Sequence, residues 1–388
     1  LEVTYAGRLG RRLQQSVNFL QAPYFQADRA SGQTFAQAFD NVALALRAGQ
    51  TAANQPWFEN NVPGGTAFMV QNGRANFING NLNSLFLLLD QRRIQNNLQP
   101  FNNYMSQMML MKTSNGSSNY HAMFATLRKR LSRGHTFDAT YTFSKSLDQL
   151  GAIQNSASIA PNSFDQHVEY GNSPFDITHI FNGLWLYEIP VKSNKPVLKQ
   201  LLNGWQVSGI FTGRSGDPLV VVQGTQVWGG SLFLGFSSGA IPTRNPLSFS
   251  NYVNRNVTGS NNIGTNSSPA NRGTGLNMFA NPEEVHNSFR RVEVSRDGRA
   301  GRANPLRGMP RWNLDGSVGK RTQVIGGEHP VVLRFSFDFF NLLNKVDYTN
   351  PSLDLNNPRG FGVITTQFTP ANRVDGSRWI QAGLRVEF

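Results

Sequence analysis

The side chains that could do chemistry are few. The chain of 388 residues has no cysteine, which removes thiol catalysis, disulfides and cysteine-ligated zinc together and suits an exported protein that avoids mispairing. Its histidines, at 121, 135, 167, 179, 286 and 329, show neither HExxH nor any comparable metal spacing. Gly213-Arg214-Ser215-Gly216 is not a nucleophile elbow, and no phosphate-cradling glycine loop leads from a strand into a helix. Asp176 and His179 stand three apart at a strand start, where a strand-end hydrogen bond explains them better than acid-base or metal chemistry. Met105, Met108, Met109 and Met111 read as gap-fillers of an irregular core rather than a soft ligand patch. Asn256-Val257-Thr258 matches a glycosylation pattern by chance, and Asp354-Leu355-Asn356-Asn357 lacks the spacing of a calcium loop. The sequence predicts no enzyme, no metal and no cofactor.

What remains is a set of charges at alternate positions of apolar stretches: Arg128, Arg130, Asp138, Arg334, Asp338, Arg385 and Glu387. Alternation of this kind needs β-strands, in which successive side chains point to opposite faces. The stretch from Ser117 to Asp148 shows it best. Phe137, Ala139, Tyr141 and Phe143 share one phase against Asp138, Thr140, Thr142 and Ser144. Before them, Met123, Ala125, Leu127 and Leu131 alternate with Thr126, Arg128 and Arg130, and Arg133-Gly134-His135 supplies the turn. Strands of roughly 10 to 13 residues exceed the usual ~5 to 6 and suit a tilted membrane crossing. One face wants lipid and the other water. The charges then either pair across the wall, which is the reading adopted, or line a lumen that holds a plug and passes a ligand.

The same period marks six further strands. Leu1, Val3 and Tyr5 open the first; a strand over Ile177 to Ile189 carries Trp185 and Tyr187 with poor alternation, leaving its facing open. Trp205, Val207 and Phe211 oppose Gln206, Ser208 and Thr212, while Trp312, Leu314 and Val318 oppose Asn313, Asp315 and Ser317. Val331, Leu333, Phe335, Phe337 and Phe339 oppose Arg334, Ser336 and Asp338; Ile380, Ala382, Leu384, Val386 and Phe388 oppose Gln381, Arg385 and Glu387. Trp205 and Trp312, at strand ends on the apolar phase, are candidates for an interfacial girdle, and Trp379 falls on the opposite phase. Connections alternate long and short, at about a hundred, three, twenty-five, fourteen, ninety, five and thirty residues, as outer-membrane barrels sort outer loops from periplasmic turns. The long stretches are rich in Asn, Gln, Gly and Ser, with short helices expected over 33–48 and 82–96. The expected division is strand 1–13, loop insertion 14–116, strands and short loops 117–222, long loop 223–310 and strands 311–388.

Composition agrees. No apolar run approaches the ~18 residues of a membrane helix, and a mean hydropathy of −0.36 is what alternation produces. The formal charge of +13 is scattered, without a dense basic block or RNA-binding motif, so no nucleic-acid partner is expected. The fold expected is an all-β antiparallel transmembrane barrel portion, with the long loops extracellular and the C terminus periplasmic in a bacterial outer membrane.

NGSSNYHAMF…LRKRLSRGHTFDATYTFSKSLD, the segment from Pro174-Phe175-Asp176 through His179 to Glu188-Ile189-Pro190, LLNGWQVSGIFTGRSGDPL, RWNLDGSVGK, LRFSFDFFNLLN and the last strand ending in Phe388 together resemble, in order, the C-terminal barrel of TonB-dependent receptors. The Oar-like group, which carries a carboxypeptidase-regulatory-like domain, is the one most resembled, and the loop segment NFINGNLNSLFLLLD shares the likeness. The resemblance implies about eight C-terminal strands of a barrel of about 22, a plug and TonB box upstream of the sequence in hand, and substrate uptake driven by the TonB complex. It also implies contact with outer-membrane lipid and lipopolysaccharide, an extracellular ligand of unknown class, and a terminal Phe388 read by the barrel-assembly machinery. A first strand at Leu1 leads one to expect part of a longer polypeptide. A surface-display or assembly protein whose long loops bind other proteins or matrix is the alternative.

Overall fold

The computed structural model describes residues 1–102, 109–132, 134–149, 159–160, 162–224, 227–228, 238–245, 249, 252–298, 306–326, 330–370 and 376–388. Eight strands form one antiparallel sheet in sequence order: β1 (Glu2–Asn18), β2 (Leu110–Ser132), β3 (His135–Asp148), β4 (His179–Glu188), β5 (Trp205–Arg214), β6 (Arg311–Ile325), β7 (Val331–Phe340) and β8 (Trp379–Glu387). A two-residue strand, Gly171–Asn172, adds to the end of β3. The sheet is open, since β1 and β8 lie at its two edges.

The register makes the two faces continuous. Leu127, Ala139, Gly183, Phe211 and Leu314 are successive partners across five strands, and the next row is Arg128, Asp138, Leu184, Ile210 and Asp315. A polar row, Thr126, Thr140, Asn182, Thr212 and Asn313, lies beyond. This settles β4, whose alternation was ambiguous: Phe181, Trp185 and Tyr187 join the apolar face, while Ile180, Leu184 and Leu186 join the polar one. Large rings on the apolar face need room beside them, and Gly209 supplies it; an added Cβ there would sit 2.3 Å from the Trp185 ring. At the β2–β3 turn Gly134 has φ +79°, a conformation that side-chain-bearing residues resist; Arg133 lies outside the described residues, as do Met105, Met108 and residues 327–329 of the turn before β7.

The first hairpin is longer than alternation suggested. Residues 14–18 and 110–116, expected in the loop insertion, continue β1 and β2. Register shifts at Gly10/Leu13 and Leu13/Gln15, with Arg12 at φ +54°, break the period that would have marked them.

The long connections fold rather than trail. Helices α1 (Phe35–Arg47), α2 (Pro56–Asn61), α3 (Gly65–Asn79) and α4 (Leu82–Gln95) bury Phe35, Phe39, Trp57, Phe58, Phe77 and Phe86 in one core, which Val168, Trp228, Val292 and Val294 from later loops complete. Thr34 and Gln37 form a capping box that starts α1. A second core joins Met278, Phe279, Val285 and Leu306 to Leu353, Phe361 and Ile364, so the connection over 223–310, expected as surface loop, contributes buried side chains to a cap among its described residues while most of the others stay partly or fully exposed. Arg291 ties the two cores: its guanidinium donates to the carbonyls of Asn79, Gln223 and Leu355 and to the Asn356 side chain.

Candidate functional site

Two places on the sheet concentrate polar groups. One is the polar face itself. Arg128 Nε lies 2.8 Å from Asp138 Oδ2, across a register pair. Arg334 Nε lies 2.9 Å from Glu387, and Arg385 Nε 3.6 Å from the same carboxylate. Asp338 accepts from Ser317 at 2.5 Å and Ser336 at 3.2 Å. Arg130 sits at a register shift between Lys129 and Ser132, exposed, with no ion pair among the described residues. The geometry thus gives Arg128, Asp138, Arg334, Asp338, Arg385 and Glu387 polar neighbours along the wall and leaves Arg130 without an ion pair among the described residues.

Within that polar face Leu184 and Ile210 are direct partners, 45% and 46% exposed, flanked in their row by Asp138 and Asp315. Two aliphatic side chains thus stand open beside carboxylates on the polar face.

The second place is a recess of about 350 Å³ at the long-loop end of β4 to β6. Asn182, Thr212, Arg214, Arg311 and Asn313 come from the strands, and Asn341, Lys345, Asp347 and Phe368 from the connection after β7. Arg214 and Arg311 are register partners, like charges face to face; Asp217 bridges them at 3.2 and 3.8 Å. Arg311 also stacks on Phe368, 4.1 Å from its centroid, and Lys345 pairs with Asp347. Arg311 Nε is buried without a partner among the described residues. Three cations against two engaged carboxylates leave a positive recess walled by aromatic and amide groups. Alternation alone could not signal it, because residues 341–376 carry no strand period.

The sequence candidates Asp176 and His179 do not meet. Asp176 is buried and accepts from Arg307 at 2.5 Å, Lys145 at 3.2 Å and the Ser146 N–H at 2.7 Å. Burial pushes its carboxyl up, but those donors outweigh it and hold the pKa below the ordinary value. His179 instead pairs with Tyr141 at 2.7 Å, on the apolar face, and Tyr5 pairs with His121 in the same way at 2.6 Å. With Phe181, Phe211 and Trp312 these pairs form an aromatic belt toward the long-loop end. Trp205, Tyr187 and His135 occupy the short-turn end, His135 stacked on Tyr187 at 4.3 Å. Trp312 and Trp205 therefore stand at opposite ends of the apolar face, and Trp379 is paired with Phe340 on the other phase. Phe388 was expected in the ladder; β8 ends one residue earlier and Phe388 is 98% exposed, as the final pair Val332–Glu387 leaves it no partner.

The family described as an outer membrane beta barrel domain matches residues 1–381. No curated protein and no solved structure matches the chain.

Proposed function

Since the chain belongs to the outer membrane beta barrel domain family, we propose that it forms the C-terminal wall of a TonB-dependent receptor of the Oar-like group, a non-enzymatic barrel of about 22 strands that takes up a solute across the bacterial outer membrane. The carrying observation is the Leu184–Ile210 pair, exposed between Asp138 and Asp315 on the polar face of an open eight-strand sheet. An aliphatic patch on the polar face is what a plug would cover, and an open sheet is what further strands would continue. In this reading the folded cap is extracellular and delivers solute to the recess at Arg311, the plug moves aside when the TonB complex pulls on it, and the short turns and C terminus are periplasmic. Lipid and lipopolysaccharide surround the apolar face, and the barrel-assembly machinery reads Phe388.

A second reading, surface display or assembly, draws on the cap: two hydrophobic cores exceed what a simple loop rim requires. Uptake separates the two. Cells carrying the intact gene, grown on panels of small solutes as sole nutrient, should accumulate one of them only while the proton-motive force and the TonB complex are intact. Accumulation that survives loss of both, or no solute dependence on the gene at all, would remove the transport reading.

A further inference from the structure

The connection between β4 and β5 contains a seven-residue helix, α5 (Pro196–Leu202), with an unusual surface. Val197, Leu198, Leu201 and Leu202 repeat at i and i+4 along one side, and all four are exposed, Val197 to 71% and Leu201 to 59%. Lys195 and Lys199, also four apart and exposed, flank that side, with Lys192 just ahead. No ion pair of these lysines occurs among the described residues. A helix this apolar and this uncovered would be costly in water.

Its position relative to the wall tells what covers it. The C-terminal end of α5 is fastened to the apolar face of the sheet: Trp205 Nε1 donates to the Leu201 carbonyl at 2.8 Å, and Lys320 Nζ donates to the Leu201 and Asn203 carbonyls at 3.1 and 2.8 Å. Thr322 bonds the Gln200 side chain, which in turn donates to the Gln323 carbonyl at 3.1 Å. Trp205, Lys320 and Thr322 lie on the phase of Val207, Val318 and Phe335, the face that an outer membrane barrel gives to lipid. The helix is therefore held on the lipid side of the wall, at the level where Trp205 marks the edge of the apolar band, with Lys320 4.9 Å from the Trp205 ring.

We infer that α5 is an interfacial anchor that binds anionic phospholipid headgroups: Val197, Leu198, Leu201 and Leu202 enter the upper acyl region while Lys192, Lys195 and Lys199 hold phosphate. The combination of an apolar side, a basic flank and a rim position fits a helix lying in the plane of the interface. The phospholipid, as opposed to lipopolysaccharide, assignment rests on the orientation proposed above, which puts the short turns in the periplasmic leaflet.

Residues 1–388 hold no cysteine, so a single one placed among them is a unique label there. The full-length barrel protein bearing Leu201→Cys, labelled with a polarity-sensitive dye and with any cysteine outside residues 1–388 changed to Ser, is folded into vesicles of phosphatidylcholine or of phosphatidylcholine with phosphatidylglycerol. Brominated lipids should quench the dye, and brominated phosphatidylglycerol should do so at least about threefold more efficiently per lipid than brominated phosphatidylcholine. Changing Lys192, Lys195 and Lys199 to Gln should abolish the preference and leave the barrel folded, since all three are exposed. A dye that stays water-exposed, equal quenching by both lipids, or a preference that survives the triple change would each overturn the inference. None of these readouts involves uptake, so the anchor and the transport reading can fail separately.

Discussion

Arg334 and Arg385 stand directly opposite one another across the β7–β8 ladder, and Glu387 lies against both, 2.9 and 3.6 Å from their Nε atoms. Like charges facing across a ladder are destabilising, so the carboxylate is what makes the pair tolerable. Since Arg334 is half exposed, the effect is small: Glu387→Gln should lower stability by less than about 1 kcal/mol, and by less still at high salt. Urea unfolding of the detergent-folded full-length barrel protein at two ionic strengths measures it. A loss independent of salt would mean that charge is not the cause.

Asp40 of α1 accepts the backbone N–H groups of Val294 and Ser295, at 3.1 and 2.7 Å, and so locks the first long connection to the third. Burial pushes its pKa up, more than the N–H donors lower it. The folded cap then binds a proton more readily than the unfolded chain, whose carboxyl titrates near 3.8. Cap stability should be lowest above the folded pKa and rise as pH falls through it toward the unfolded value. Asp40→Asn should flatten that slope, and Asp40→Ala, which orphans two N–H groups, should cost about 1–3 kcal/mol. Thermal unfolding of the cap between about pH 7 and pH 4 reads both; an unchanged slope in Asp40→Asn would exclude Asp40 as its source.

Because the long connections share two cores, the cap should resist protease as a unit. Arg291 is the shared tie, and Arg291→Ala removes four hydrogen bonds spread over three segments. Cleavage within residues 252–298 should accelerate by roughly 5- to 30-fold, as for a loss of about 1–2 kcal/mol. Unchanged cleavage in limited proteolysis would show that the two cores hold without it.

On the apolar face, Gly209→Ala should cost about 1–3 kcal/mol through collision with the Trp185 ring. Adding Trp185→Ala should recover part of that loss in a double-mutant cycle. Strict additivity would mean that the ring moves away freely.

How far all this was legible in the sequence follows from where period two survives. β3, β7 and β8 alternate cleanly, since one side meets apolar surroundings and the other polar ones, and their facing could be read from Phe137 or Phe335 alone. In β4 the Leu184–Ile210 patch puts aliphatic groups on the polar face, and only pairing with β3 and β5 fixes the phase. The bulges around Arg12 hid the top of the first hairpin. Of the helices, α1 and α4 were visible from spacing, but α3 was not: Gly73 packs against Leu85, so its contact with α4 needs a small residue, not an apolar stripe. The recess draws Arg214, Arg311 and Phe368 from segments far apart in sequence, which no local pattern could join.

The central claim is that the odd-numbered residues of β7 face lipid and the even-numbered ones do not. Phe337 lies between Val318 and Ala382 on the apolar face, and Ser336 lies between Gly319 and Gly383 on the polar face. Arg placed at each site, in the full-length barrel protein folded into lipid vesicles and unfolded by denaturant, compares the two directly. Phe337→Arg should destabilise by about 2–4 kcal/mol if the site is near the bilayer midplane, and Ser336→Arg by well under half of that. Equal losses at the two sites would contradict the barrel wall described here.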